Sequence, residues 1–484
     1  MQHKLLILNF NNACASTLAK KLRAERIDCH IVPGDTPYEE LVKDKLLGLI
    51  LAGGISGEIP SGIDARLLSA GIPILCMGDT ALSAAQLLGC ELSAKQQLRE
   101  VVTVTFSPSP LTNDLSQSER YISTIRHIEL SESLSAIAAA RDQVMGFAHD
   151  QLPIYGFSFQ LESNDPDGVS ILLSFAQDVC NCAESFSEGD FINAKRAEIE
   201  EISHEGQALC VITGSLESGV TAMLAHRALG DRLHCLMIDT CFMRENEMED
   251  LLYYYRETLG MNVQVLDAKD RFCEALSGIK DQQQKYETIT NLYARLQSEA
   301  AKEISHHMVI QPLSAGDLLL KSDCFPMPQL ETEKPVIRPL RELFKEEIRN
   351  IGESLNMPQE MYLAQPFPGT GLALRIIGEV TRQKLAILRK ADAIFREEIK
   401  KANLSKRLWK YFVTLRPIND LAAETDLTIT IRAITLMTSA GEVRVTPARL
   451  PYDLVDQYAA RILQALPEVR QIVNDITPGS SKLE

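Results

Sequence analysis

The sequence predicts an α/β protein with two doubly wound units followed by a smaller α+β unit. Three observations lead there. Short apolar runs alternate with amphipathic helical patterns over residues 1–90. The alternation restarts at Ala208, after a polar, charged stretch over Glu184–Glu205. In the last ~120 residues, strand-like and helical runs follow one another in irregular order. Strands separated by helices imply a mostly parallel sheet, whereas an irregular order implies α+β packing. The chain has 484 residues, room for two to four domains at ~100–200 residues each.

In the first unit, Leu5–Phe10, Cys29–Val32, Leu46–Leu51 and Ile72–Met77 read as strands and Ser16–Arg26 as a helix. A strand at Ile154–Phe159 and a helix at Ser170–Cys182 complete it, and Glu184–Glu205 is a linker with helical character. In the second unit the strands are Ala208–Ile212, Leu233–Asp239, Val263–Asp267 and Met308–Gln311. Its helices are Ser218–Leu229, Glu247–Leu259 and most of Arg271–Ser305, a second doubly wound pattern. The proline-bearing Ser322–Lys334 reads as a loop. In the third, Thr381–Lys400 is a long helix with Leu385, Leu388, Ile394 and Phe395 on one face. Strands at Phe412–Arg416, Thr428–Leu436 and Gln471–Ile476 and a helix at Tyr452–Leu466 accompany it. The expected domains are 1–185, 190–361 and 362–484.

Hydrophobic residues make up 45% and charged residues 24%, as in a globular protein, and the net charge is −16 with the acidic residues dispersed. Such a surface repels phosphate backbones and anionic membranes, so neither nucleic acid nor membrane is expected as a partner. A small anion can still be held locally at a helix N-terminus. The cysteines number eleven, and only Cys180 and Cys182 are close in sequence, at no common zinc spacing. Buried, reduced thiols in a cytoplasmic protein are expected, with no metal cluster. The N-terminus shows no basic region ahead of an apolar stretch, and no run reaches the ~18 apolar residues of a membrane span.

Several stretches carry a family resemblance. His234–Glu247 reads HCLMIDTCFMRENE, similar to a strand and loop ending in D-x-G-L-x-R-x-x-E. Val336–Arg349 reads VIRPLRELFKEEIR, Pro366–Arg375 PFPGTGLALR, Ala448–Leu454 ARLPYDL and Asn474–Thr477 NDIT. In order and spacing these resemble the glutamine-hydrolysing GMP synthetase family along the whole chain. The resemblance implies a class I glutamine amidotransferase-like domain that would release ammonia. It also implies an adenine-nucleotide alpha-hydrolase-like (ATP pyrophosphatase) domain that would adenylate xanthosine monophosphate, and a small α+β dimerisation domain.

Glutamine hydrolysis needs a thiolate on a strand-to-helix turn, a histidine to take its proton and a carboxylate to orient the histidine. The family writes the turn as G-V-P-V-L-G-I-C-Y-G-M-Q. Here Gly71-Ile72-Pro73-Ile74-Leu75-Cys76-Met77-Gly78-Asp79-Thr80 places Gly78 at the nucleophile position. The family's G-V-Q-F-H-P-E is matched by Gly156–Glu162, with Gln160 in the histidine's place and Glu162 retained. Cys76 lies two residues early, on the strand, where its side chain enters the sheet. Ala52-Gly53-Gly54 resembles the family's oxyanion loop.

The family cradles ATP in S-G-G-V-D-S-S between a strand and a helix, where N–H groups and the helix terminus favour phosphate. The corresponding residues are Thr213, Gly214, Ser215, Leu216, Glu217, Ser218 and Gly219, with Asp239 and Arg244 at the next strand's end and loop. These are the ATP-binding candidates, with Mg²⁺ as the accompanying ion; the other reading is a polar helix cap. Ser215 replaces a glycine and is expected to crowd a phosphate, or to strain the backbone if φ there is positive. The family's Q-G-T-L-Y-P-D keeps only Gln311 and Asp317, and its K-S-H-H is reduced to Lys321-Ser322-Asp323-Cys324.

Further along, Ala364 and Gln365 replace an Arg-His, a glycine-rich segment becomes Ile418–Leu427, and the tail ends in Lys482 and Glu484. The leading expectation is a GMP synthetase-like pseudoenzyme without glutaminase activity, acting as a nucleotide-sensing or partner-binding scaffold. The alternative is an ATP-dependent, ammonia-using ligase. The expected assembly is a homodimer through the C-terminal domain, with pairing to an active GMP synthetase as a further option.

Overall fold

The computed structural model describes residues 4–478 apart from 11–13, 44–45, 61, 162–164, 183–186, 316, 318–326, 364–366, 368, 419–425 and 440–441. The chain is α/β and divides into two compact units, Met1–Ser187 and Glu188–Glu484.

In the first unit, β1 (Lys4–Asn9), β2 (Cys29–Pro33), β3 (Leu46–Ala52) and β4 (Ile74–Met77) pair in parallel. Their apolar runs are buried on both faces, as expected of central parallel strands. Residues 91–153, for which the sequence pattern assigns no element, supply most of the remaining strands. A two-residue pair, β5 (Glu91–Leu92) and β8 (Ile128–Glu129), stands apart. The others are β6 (Gln96–Phe106), β7 (Gln117–Ile125), β9 (Leu134–Ala140) and β10 (Gln143–His149). With β11 (Ile154–Phe157) they complete a nine-stranded sheet of order β2-β1-β3-β4-β11-β10-β9-β6-β7. Four of the added strands are antiparallel because β6, β7, β9 and β10 run as hairpins, without helical crossovers.

The second unit opens on the Glu188–Ser203 helix, within the stretch expected as a linker with helical character. Five parallel strands follow: β12 (Ala208–Ile212), β13 (Leu233–Asp239), β14 (Asn262–Asp267), β15 (Met308–Ile310) and β16 (Val336–Ile337). Their order, β14-β13-β12-β15-β16, reverses between β12 and β15. Ligands of such sheets bind outside the carboxyl ends of the strands at this reversal, which is where the Thr213–Gly219 loop follows β12.

The chain then forms β17 (Lys410–Pro417), β18 (Leu427–Ser439), β19 (Glu442–Pro447) and β20 (Val469–Asp475). β18 pairs antiparallel with β17 and β19 and parallel with β20. The Arg382–Lys401 helix is capped by Thr381, whose hydroxyl accepts from the Lys384 N–H at 3.2 Å. It buries Leu385, Leu388 and Phe395. One apolar cluster runs from Leu209 on β12 through these residues to Val469, so both sheets of this unit share a core.

Candidate functional site

Gly78 follows β4 and caps the Asp79–Leu87 helix with φ +60° and ψ −131°. Only glycine takes this backbone conformation without strain. The Gly53–Gly57 loop closes over it. The Asp79 N–H donates to the Gly54 carbonyl at 2.7 Å, and the Gly78 N–H donates to Phe157 at 2.8 Å. A Cβ at 78 would stand 2.1 Å from the Gly54 oxygen, so the space a nucleophile's side chain requires is filled by backbone.

The Asp79 carboxylate holds that loop, accepting from the Ser56 N–H and hydroxyl and from the Gly57 N–H at 2.7–2.9 Å. An oxyanion needs unengaged N–H donors aimed at it, and the N–H that follows the nucleophile position is spent on Gly54. Gln160 makes a long contact, Nε2 donating to the Gly53 carbonyl at 3.4 Å. Glu162 lies outside the described residues. Cys76 is fully buried in the sheet, and burial pushes its thiol up to about 12. A thiol so placed is neither ionised nor reachable at neutral pH.

In the second unit the loop after β12 is ordered by its own hydroxyls. Ser215 is the N-cap of the Leu216–Leu229 helix at φ −70°, its hydroxyl accepting from the Ser218 N–H at 3.1 Å. The backbone strain expected at Ser215 is therefore absent. The positive φ falls on Gly214, at +78°, where a Cβ would meet Leu251 at 2.7 Å and Met243 at 2.9 Å. The Thr213 N–H donates to the Ser218 hydroxyl at 3.2 Å. Ser218 and Gly219 are buried beneath the helix start, and Gly219 leaves room for Tyr255 and Met357.

Thr213, Gly214, Ser215, Leu216, Glu217 and Arg244 line one cavity of about 110 Å³. Small-molecule pockets run to ~300–1,000 Å³, so this one admits a phosphate-sized group rather than a whole nucleotide. A second cavity of about 310 Å³ shares Gly214, Ser215, Leu216, Arg244 and Glu247 with it. Asp239 lines neither.

Both acidic candidates are paired with lysines: Glu217 with Lys345 at 3.4 Å and Asp239 with Lys269 at 3.3 Å. Among the described residues no group of three or more metal-ligating side chains converges. A phosphate fits the helix start electrostatically. A divalent ion does not fit these carboxylates as they are paired.

Arg244, its side chain 10% exposed, faces Asp392 at 3.5 Å and Glu247 at 3.7 Å, stacked over Phe367 at 4.0 Å. Arg375, almost wholly buried, approaches the same Asp392 at 3.6 Å, and burial pushes it down to about 9. Sequence reading missed Asp392, Lys345 and Lys269. Asp392 carried a signal: a carboxylate on the stripe Leu385, Leu388, Phe395, where the helix is otherwise apolar. Residues 321–324, 364–365, 419–425, 482 and 484, expected to matter for the other ligands, lie outside the described residues.

The two units define a multi-unit α/β protein whose second sheet carries a loop-and-helix cradle at its topological reversal. The model of the GMP synthase C terminal domain matches residues 397–482. A glutamine-hydrolyzing GMP synthase of Caldicellulosiruptor saccharolyticus is 31% identical, covering 99% of this chain and 98% of its own. One from Aquifex aeolicus is 32% identical, with 98% and 97% covered. Among solved structures, NMN synthetase from Francisella tularensis aligns over 38% of this chain and 78% of its own, at TM-score 0.32 and 17% identity. The chain belongs to the glutamine-hydrolyzing GMP synthase family.

Proposed function

We propose that this chain is a family member without glutaminase activity that works as a nucleotide-sensing or partner-binding scaffold. One observation carries the reading: the Gly54 carbonyl occupies the place of a side chain at position 78. Loss of a catalytic cysteine alone would leave a vacant pocket. Here the neighbouring loop has closed, and a buried aspartate anchors it. Purified protein with glutamine should release glutamate at the background rate. Turnover that depends on Cys76 would end this reading.

The nucleotide part rests on the loop after β12. Among the described residues no acceptor meets the Leu216 and Glu217 N–H groups, so the start of the helix can take a phosphate. ATP or another adenine nucleotide is the proposed ligand, with a phosphate in the 110 Å³ cavity and the rest of the molecule outside it. The lysine pairs on Glu217 and Asp239 favour binding without a metal and weigh against the ammonia-using ligase, whose adenylation step would call on a divalent ion. ATP should raise the melting temperature with or without EDTA. No shift at millimolar ATP under either condition would leave a scaffold without a nucleotide. We further propose a cytoplasmic homodimer built on residues 362–484, with pairing to an active family member as the partner function.

A further inference from the structure

The larger cavity, about 310 Å³, lies entirely within the second unit. Its volume falls in the ~300–1,000 Å³ range of small-molecule pockets. The start of the Leu216–Leu229 helix, the loop and helix after β13, residues 357–361 and the Arg382–Lys401 helix supply its walls. Its buried and its exposed charges have opposite balances.

The buried lining centres on Asp392, whose side chain is 2% exposed. Arg244 lies beside it, and Arg396 follows it by one helical turn and approaches it at 4.0 Å. Arg375 reaches the same carboxylate at 3.6 Å, and Glu247 faces Arg244. Three guanidiniums therefore meet two carboxylates, and positive charge is in excess. These contacts are longer than hydrogen bonds. Among the described residues, Nε and Nη2 of Arg244 and Nη1 of Arg396 have no acceptor. Buried N–H groups ordinarily have one, and the guanidinium fork matches a carboxylate. Ser215 and Leu216, at a helix start on the same wall, also favour negative charge.

The exposed lining is acidic. Glu245, Asp250 and Glu360 are all exposed. Glu245 is paired with Lys390 at 3.6 Å, whereas Asp250 and Glu360 meet no cation among the described residues. The rest of the wall is apolar, with Leu251 and Met357 buried and Met361 half-buried. Methionine adapts its shape to whatever apolar group it meets. A cationic floor, an acidic rim and an apolar side call for a ligand that carries all three complements.

We infer that this cavity binds a free α-amino acid with an apolar side chain. Its carboxylate lies against Arg244 and Arg396, its ammonium faces Asp250 and Glu360, and its side chain packs on Leu251, Met357 and Met361. A phosphate ester would bring two negative charges past the acidic rim, and a simple amine would leave the guanidiniums without an acceptor. The inference does not rest on nucleotide binding, and the amino acid should bind with ATP absent.

The test is isothermal titration of the full-length protein, without ATP, using L-methionine and L-phenylalanine. Phenylalaninamide, which keeps only the ammonium, and hydrocinnamate, which keeps only the carboxylate, complete the series. At least one of the two amino acids should bind at millimolar concentration, and the two derivatives should bind about tenfold or more weakly than phenylalanine. Arg396→Met should weaken the amino acid by about tenfold or more. Hydrocinnamate binding as tightly as phenylalanine would reveal a plain anion site, and phenylalaninamide doing so a plain cation site; either overturns the inference. So does the absence of binding by both amino acids, or an unchanged affinity in folded Arg396→Met. Should that variant fail to fold, the series on the wild-type chain decides alone.

Discussion

Ser56 gives both its N–H and its hydroxyl to one oxygen of Asp79, at 2.9 and 2.7 Å. Asp79 opens the helix after Gly78, whereas Ser56 belongs to the loop following β3, so this pairing sets where the Gly54 carbonyl lies. Asp79 is buried, and each hydrogen bond to a buried charge contributes about 1.5–3 kcal/mol. Asp79→Ala should therefore lower stability by about 2–4 kcal/mol in urea unfolding and loosen residues 54–57 to hydrogen exchange. Unchanged exchange there would show that the loop is held by other contacts.

Restoring a cysteine should not restore chemistry. Gly78→Cys places a Cβ 2.1 Å from the Gly54 oxygen on a backbone only glycine adopts easily. We expect a loss of about 3 kcal/mol or more and no glutamate release. A well-folded variant with turnover would mean that the loop opens readily.

The loop after β12 depends on Gly214. Gly214→Val must displace Leu251 and Met243, which a Cβ alone would meet at 2.7 and 2.9 Å. Added strain at φ +78° brings the expected cost to about 2–3 kcal/mol, with any ATP-induced rise in melting temperature abolished. Lys345→Met, which frees Glu217 beside the same cavity, should weaken ATP binding and leave the fold close to wild type. If ATP binding survives both changes, the ligand lies elsewhere.

His306 supplies a pH dependence. Its Nδ1 donates to the Ile304 carbonyl at 2.7 Å, and its Nε2 accepts from the Lys334 ammonium at 3.1 Å. The folded ring is held below the usual histidine range, first by burial and then by Lys334 among other neighbours. With the folded value below the unfolded ~6.5, the unfolded chain takes up its proton first as pH falls. Stability present above that value is then lost downward through it until the folded ring protonates. His306→Gln should flatten the fall in melting temperature between about pH 7 and 5. An identical slope would remove His306 from the account.

Assembly is open to a direct measurement. Residues 362–484 expose Tyr452 and Ile476 at 85% and 73%, large apolar side chains that a partner surface would cover. Light scattering should give twice the chain mass, and Tyr452→Glu combined with Ile476→Asp should give monomers. Removing the whole segment is a poor test, because its core is continuous with the apolar cluster of β12 and β13. A monomeric wild-type chain would end the proposal.

Much of this protein was legible in its amino-acid order. Apolar runs bounded by helical patterns located β1 to β4 and β12 to β15, because a strand buried on both faces must be apolar throughout. Motif positions located Gly78, Gln160 and the Thr213–Gly219 loop, since a missing thiol or imidazole is visible in one letter. The sequence could not show that Gly54 closes on Gly78, that Lys345 and Lys269 neutralise Glu217 and Asp239, or that Asp392 serves Arg244 and Arg375 together. Each of these joins residues from 17 to 148 positions apart, and no local periodicity records such a pairing. Hairpins β6 to β10 also went unread, because half-exposed antiparallel strands carry mixed polar and apolar residues. Local order specified the elements; only packing decided which charges were already spent and which pocket was already closed.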